Sequence, residues 1–374
     1  MKTLRYTIAF AALGMMAAVT GGQTAPAAQQ PAAEPQLAIL DTDIGDDIDD
    51  AFALALALRS PELKLLGITT TFGDTDLRAK LVGRFLGSLC RFDVNVIPGV
   101  PTPHENVFTQ SAYAHGFANQ SCGIVSFHTS SKADEARLKK QRKQEAAKWK
   151  ANQAQMMAGV AHLVQQRAAH DAAGFLLDQI RDHPGQITLI AIGPLFNIQA
   201  AIERDPATFR KLKRVVLMGG SIYRGYDGRN GEQKPPDAEW NVRCDPAGLR
   251  ALLAVGVPVF MMPLDSTQIH LETPEREAIF SHGSPLTDQL TLLYHQWLGG
   301  NPDHPVAPTL FDPVAVAFAV RPELCPMTPM RLEVDDKGFT RPVEGAPNAQ
   351  VCLKSDEKGF LEVLVGRITA DAGR

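Results

Sequence analysis

Six carboxylates fall within ten residues of this chain, in Asp41-Thr42-Asp43-Ile44-Gly45-Asp46-Asp47-Ile48-Asp49-Asp50. Like charges this close repel, and crowding them is costly unless a cation stands among them. Calcium and magnesium, hard cations, take oxygen ligands of this kind. Helix capping offers a smaller role, because the positive end of a helix dipole favours acids in a first turn, where Asp49 and Asp50 would stand. Capping uses one or two acids and leaves the rest unexplained. A divalent-cation site is therefore the chemistry expected of this run.

The spacing excludes one familiar cation loop. An EF-hand wants Gly at its sixth position and Glu at its twelfth. Counted from Asp41, these are Asp46 and Phe52. A strand followed by Asp-x-Asp also resembles a haloacid-dehalogenase-type phosphatase, with Asp41 as nucleophile and Asp43 as acid/base. That pattern expects Thr or Val where Gly45 stands, and a late Lys and acidic pair that has no convincing counterpart here.

The run must be held between a strand and a helix. Residues 36–41 read as a buried strand and 49–59 as a helix. Strands follow at 64–72, 93–97, 186–192, 214–218 and 257–263, with helices at 75–89 and about 195–204. Continuous apolar strands alternating with helices predict an α/β fold with a mostly parallel central sheet flanked by helices. Ligands of such sheets bind beyond the carboxyl ends of the strands. Residues 329–343 and 349–353 read instead as a small antiparallel C-terminal element, followed by a helix at about 356–368.

The chain has 374 residues, 45% hydrophobic and 21% charged, which excludes a largely disordered or collagen-like protein. A formal charge of −4 argues against a general attraction to nucleic acid. Lys2 and Arg5, the apolar run 6–19 and the small residues after it have the pattern of a secretory signal peptide, taken as 1–24. The run is short for a bilayer span, so no membrane association is expected after its removal. Residues 25–35 read as a Pro/Ala-rich flexible spacer, and 36–370 as a single domain. An exported, periplasmic or secreted protein is expected. Export permits disulfides. The five cysteines, Cys90, Cys122, Cys244, Cys325 and Cys352, leave at least one unpaired, and most read as small buried residues. Segment 130–158 carries eight Lys/Arg against three Asp/Glu between Lys132 and Lys150, and reads as a solvated basic helix.

Asp-Thr-Asp-x-Gly followed by Asp49-Asp50-Ala51-x-Ala53-Leu54 resembles the signature of the inosine–uridine-type nucleoside hydrolases. The resemblance continues in order along the chain. It takes in Gly67-Ile68-Thr69-Thr70 with Gly73-Asp74, His115-Gly116, and Ile192-Gly193-Pro194-Leu195-Phe196-Asn197-Ile198. Met218-Gly219-Gly220, Ala238-Glu239-Trp240-Asn241, Asp245-Pro246, Pro263-Leu264-Asp265 and Phe311-Asp312-Pro313-Val314-Ala315 complete it. It covers about residues 36–368, and this many motifs in order make it specific.

The resemblance implies a calcium ion held by Asp43, Asp50, the backbone carbonyl of Ile192 and Asp312, with sugar hydroxyls completing a loose oxygen shell. It implies that Asp43 takes a proton from the attacking water, and that the base leaves through an oxocarbenium-like state. Asp49, Asp74, Glu239 and Asn241 would bind ribose, with Met218 packed beneath the sugar and His115 near the substrate. The small-molecule partner would be a nucleoside, and a homo-oligomer is possible by analogy. Trp240, Phe117, Tyr223 and Phe311 are candidates to stack on the base.

The chain departs from the family pattern in four places. The turn after Asp43 is two residues longer than the commonest form, so Asp46 and Asp47 compete with Asp49 and Asp50 for the site. The latter pair is favoured because Asp50 directly precedes Ala-x-Ala-Leu. Asp74 stands where Asn is commoner. Residues 231–237 lack an obvious further ribose-binding Asn. Phe311 precedes Asp312 where many relatives carry a His thought to protonate the leaving base. His115, His270, His295 and His304 are alternative donors, His115 first among them. A base could also leave with solvent protonation, and a leaving group such as nicotinamide needs no acid. The expected activity is calcium-dependent hydrolysis of an N-riboside to base and ribose. A nucleoside-binding protein without hydrolysis and the phosphatase are the alternatives.

Overall fold

The computed structural model describes residues 34–103, 108–115, 171–227, 232–300 and 306–370. The predicted leader 1–24, nearly all of the spacer and the basic segment 130–158 lie outside them. The first half runs β1 Gln36–Thr42, α1 Asp49–Leu58, β2 Leu63–Thr70, α2 Thr75–Ser88, β3 Asn95–Pro98 and α3 Ser111–His115. Next come α4 Ala172–Asp182, β4 Thr188–Ala191, α5 Phe196–Arg204, α6 Pro206–Phe209, β5 Arg214–Met218, α7 Trp240–Cys244, α8 Pro246–Val255 and β6 Val259–Met262. The chain ends with α9 Leu264–Thr267, α10 Thr273–Phe280, α11 Pro285–Gly300, α12 Phe311–Val320, β7 Met327–Val334, β8 Thr340–Val343, β9 Ala349–Cys352 and α13 Glu357–Ile368.

The strands lie in the order β3-β2-β1-β4-β5-β6-β9-β7-β8. From β3 to β9 every neighbouring pair is parallel. Only β7 with β9 and β7 with β8 run antiparallel. The fold is thus α/β with a mostly parallel sheet and an antiparallel C-terminal edge. That edge is continuous with the main sheet, because Phe260 and Met261 of β6 pair with Gln350 and Val351 of β9.

Side chains alternate across each strand, so the apolar runs feed two cores. Ala38, Leu40, Ile190, Val216 and Met262 join the layer of α1, α2, α11, α12 and α13. Ile39, Leu189, Ala191, Val215, Leu217 and Met261 join the layer of α4, α5 and α8. Helices α1 and α12 are buried along nearly their whole length. Their alanines, Ala51, Ala53, Ala55 and Ala57 against Ala315, Ala317 and Ala319, leave little bulk within that layer. This packing brings the first turn of α12 to the first turn of α1, although 263 residues separate Asp49 from Asp312.

Arg367 of α13 clasps Glu62, just before β2, with two bonds of 2.6 Å. The clasp holds the Glu62 carboxyl below the usual range. A carboxyl shifted down in the fold stabilises it above the unfolded value and loses that contribution as the pH falls. Glu62→Gln should therefore lower the melting temperature slightly at neutral pH and flatten its fall below about pH 4.5. Melting curves of both proteins against pH test this, and parallel curves would exclude the clasp as a contributor.

Cys325 and Cys352 are buried thiols, as expected of small core residues, whereas Cys90 is disulfide-bonded. No helix among the described residues is long and apolar enough to cross a membrane.

Candidate functional site

The carboxyl ends of β1, β2, β4 and β5 face one end of the sheet, and the loops leaving them carry most of the predicted residues. The turn after β1 is the centre. Thr42 donates to the Asp50 carboxylate, and its hydroxyl accepts from the Ile44 amide at 3.1 Å. This folds the turn back so that Asp49 and Asp50 open α1. The Asp312 amide, at the start of α12, donates to Asp49 Oδ2 at 3.2 Å.

Asp49, Asp50 and Asp312 are all buried, and each offers a carboxylate oxygen within 4.8 Å of the others. Burial, with repulsion from neighbouring acids (Asp47 and Asp43 at Asp49, Asp43 and Asp49 at Asp50, Asp49 and Asp50 at Asp312), pushes all three well above the usual carboxylate range. Asp43 is buried beside them, and burial pushes it up to about 7, against the pull of the Arg78 guanidinium. Its charge acts on Asp49, Asp50 and Asp312. Buried carboxylates in such number must either hold protons or share a cation. Hard oxygen donors at this separation fit a divalent cation, with Asp49, Asp50 and Asp312 as the grouped donors and Asp43 adjoining them.

The longer turn finds its explanation here. Asp46 pairs with Arg78 at 2.8 Å, while Asp47 is exposed and its carboxylate accepts from the Ile48 amide at 2.7 Å. The two extra acids are thus spent on the turn, and Asp49 and Asp50 face Asp312. Arg78, itself fully buried, donates to the carbonyls of Asp43, Ile44 and Phe72 and lies over the rings of Phe72 and Phe108. In sequence it is an unremarkable basic residue in a helix, and no signal marks it.

After β4, the chain passes close beneath Asp43. A Cβ at Gly193 would lie 2.8 Å from an Asp43 carboxylate oxygen, so only glycine fits without displacement. The Ile192 carbonyl accepts from Asn241 Nδ2 at 3.4 Å, and the Met218 carbonyl accepts from the same amide at 3.2 Å. Glu239 caps α7 by accepting from the amides of Asn241 and Val242, and it also takes the Gly220 amide at 2.9 Å. Ile192, Met218, Glu239 and Asn241 therefore form one buried wall.

Two predicted residues are exposed rather than buried with the others. Asp74 is exposed and caps α2 by accepting from the Leu77 amide at 2.9 Å. His115 is exposed at the end of α3, and among the described residues no hydrogen bond or ion pair ties it to the acids. A helix terminus and the adjoining His-Gly pair gave no spatial information, so its assignment rested on resemblance alone. Of the stacking candidates, Phe117 lies outside the described residues, Tyr223 is exposed, and Phe311 and Trp240 are half-buried. Asp41, the nucleophile of the phosphatase alternative, is buried and held by Thr69 and Asn197, whose amide donates at 2.7 Å. It has no open face for a phosphate ester.

Tyr226 was not singled out by sequence. Its ring meets Phe311 edge-on at 6.0 Å, and its hydroxyl accepts from the Trp240 amide at 2.9 Å.

Comparison with known proteins identifies the family of the chain. Residues 38–362 match the family model for inosine-uridine preferring nucleoside hydrolase. The chain is 27% identical to a non-specific ribonucleoside hydrolase, RihC, of Escherichia coli over 336 residues, covering 86% of this chain and 94% of that one. It is 27% identical to a pyrimidine-specific ribonucleoside hydrolase, RihA, of Citrobacter koseri, covering 88% and 97%. Among solved structures, a plant nucleoside hydrolase superposes with a TM-score of 0.68 at 22% identity, over 90% of this chain and 100% of that one. With buried acids gathered at the carboxyl end of its sheet and a family match over most of its length, this chain is an enzyme of the inosine-uridine preferring nucleoside hydrolase family.

Proposed function

We propose that this enzyme hydrolyses the N-glycosidic bond of ribonucleosides, or of a related N-riboside, with calcium as its cation. The observation that carries the reading is the meeting of Asp49, Asp50 and Asp312 within 4.8 Å beside Asp43. Asp43, Asp50, Asp312 and the Ile192 carbonyl would hold the cation, whose positive charge would neutralise the acids and fix the sugar diol.

The residues of this chain then divide the work. Asp49, Glu239 and Asn241 bind ribose hydroxyls, with Met218 beneath the ring. Asp74 can add an acceptor through the oxygen not used in capping. A site built to pair a hydroxyl disfavours the 2-deoxy sugar, because its own polar groups are left unpaired. Asp43, standing over Gly193, accepts a proton from the attacking water as its oxygen bonds to the anomeric carbon. The base leaves with the bonding electron pair, and the surrounding carboxylates stabilise the positive charge developing on the sugar.

Export is part of the proposal. The leader-like N-terminus motivates it, and the disulfide at Cys90 supports an oxidising compartment. The enzyme would then release base and ribose for salvage outside the cytoplasm.

Incubation with inosine, uridine and nicotinamide riboside, with and without a chelator, tests the reading. Ribose release that calcium restores after chelation is the expected result. Asp43→Asn should lower kcat by about 10²–10⁴, the usual contribution of a general base, and should also weaken the response to calcium, because Asp43 stands in the ligand set. Binding without ribose release, or unchanged kcat in Asp43→Asn, would count against it.

A further inference from the structure

We infer that Tyr226 is the hydrogen-bond donor to the departing base, a role that rests on the proposed N-riboside hydrolysis. Three observations converge on it. First, the residue touches both sides of the site. Its ring packs edge-on against Phe311, the neighbour of Asp312, at 6.0 Å and 81°. Its hydroxyl accepts from the Trp240 amide at 2.9 Å, between Glu239 and Asn241. The phenol thus lies between the ring that precedes Asp312 in the chain and the backbone between Glu239 and Asn241.

Second, the bond to Trp240 uses the phenol oxygen and leaves its hydrogen uncommitted. Among the described residues no acceptor takes it. Apart from the Trp240 indole, the other side chains gathered here are poor donors. Asp43, Asp49, Asp50, Asp312 and Glu239 are acids, the Asn241 amide is engaged by two carbonyls, and Phe311 has no polar hydrogen. Burial and the Glu239 charge keep the phenol protonated.

Third, the segment carrying Tyr226 is fixed in place. The amides of Ile222 and Tyr223 both donate to the Asp265 carboxylate at 2.8 Å. Gln268 takes the Asp227 amide at 2.7 Å and donates to the Gly225 carbonyl at 3.0 Å, clamping the backbone on either side of the ring. A donor held this way needs no reorganisation when charge develops on the leaving group.

The step balances without a cofactor. The C–N bond breaks with its electron pair going to the base. A C–O bond forms from water, and Asp43 takes one of the water's protons. Tyr226 keeps its own proton and hydrogen-bonds the electron-rich base, which is then protonated from solvent.

The test compares two leaving groups in wild type and Tyr226→Phe. Inosine has a leaving group that needs a donor, and 4-nitrophenyl riboside has one that departs as a stable anion. Tyr226→Phe should lose about 10²–10³-fold in kcat on inosine, the usual effect of removing one such donor. On the nitrophenyl riboside it should change less than about threefold. The ratio of the two rates does not depend on how much of the variant is folded. Equal losses on both substrates, or no loss on inosine, would overturn the role of Tyr226 while leaving the hydrolase reading intact. Failure of the wild type on every riboside would remove both.

Discussion

Asp312→Asn should melt at a higher temperature than wild type without calcium, and should gain nothing further when calcium is added. The sign follows from the crowding of the acids. In the cation-free protein, burial and next the charges of Asp49, Asp50 and Asp43 make an ionised Asp312 costly to the fold. The amide removes one charge of the set and keeps the shape, so the cation-free fold is relieved. The same change removes a ligand. In wild type, calcium at about 100 times its Kd would stabilise the fold by about 2.7 kcal/mol, roughly 5 °C in a domain of this size. The variant should show neither that rise nor measurable ribose release, a loss of about 10³-fold or more. Paired melting scans with chelator and with calcium read both signs at once. A wild-type-sized calcium shift in Asp312→Asn would take Asp312 out of the ligand set.

The acids themselves were legible in the sequence, because their density between a strand and a helix has few explanations. The partnership with Asp312 was legible only through resemblance, since nothing local links residues 263 positions apart. The grouping of Asp49 and Asp50 with Asp312 is visible only in the structure, because it turns on the Thr42–Asp50 bond and on a buried arginine paired with Asp46, neither of which has a sequence period. The central strands announced themselves as apolar runs. The antiparallel strands were also visible, but their junction with β6 was not, since pairing between Met261 and Val351 leaves no mark on either segment. Tyr226 went unnoticed for the same reason: one tyrosine in a loop becomes meaningful only when Phe311 and the Trp240 amide are found beside it.

Arg78 carries the second large effect. One guanidinium joins the turn after β1 to the loop after β2, bonding the Phe72 carbonyl at 2.7 Å, the Ile44 carbonyl at 3.1 Å, the Asp43 carbonyl and the Asp46 carboxylate. It is the cation that offsets part of the negative charge behind Asp43. Lysine is a point charge on a flexible stem and cannot reproduce this fork. Arg78→Met should cost about 3–5 kcal/mol, because removing one partner leaves buried polar groups and Asp46 uncompensated. Arg78→Lys should retain more stability and still lose most activity, because Asp43 and the start of α1 would no longer be held in register with Gly193. The milder Asp46→Asn keeps the guanidinium on its three carbonyls and should retain calcium binding. Urea midpoints with and without calcium, measured beside kcat for the three variants, separate loss of fold from loss of site. If Arg78→Lys keeps both the calcium shift and kcat of the wild type, the guanidinium is structural filler and the turn after Asp43 holds its shape without it.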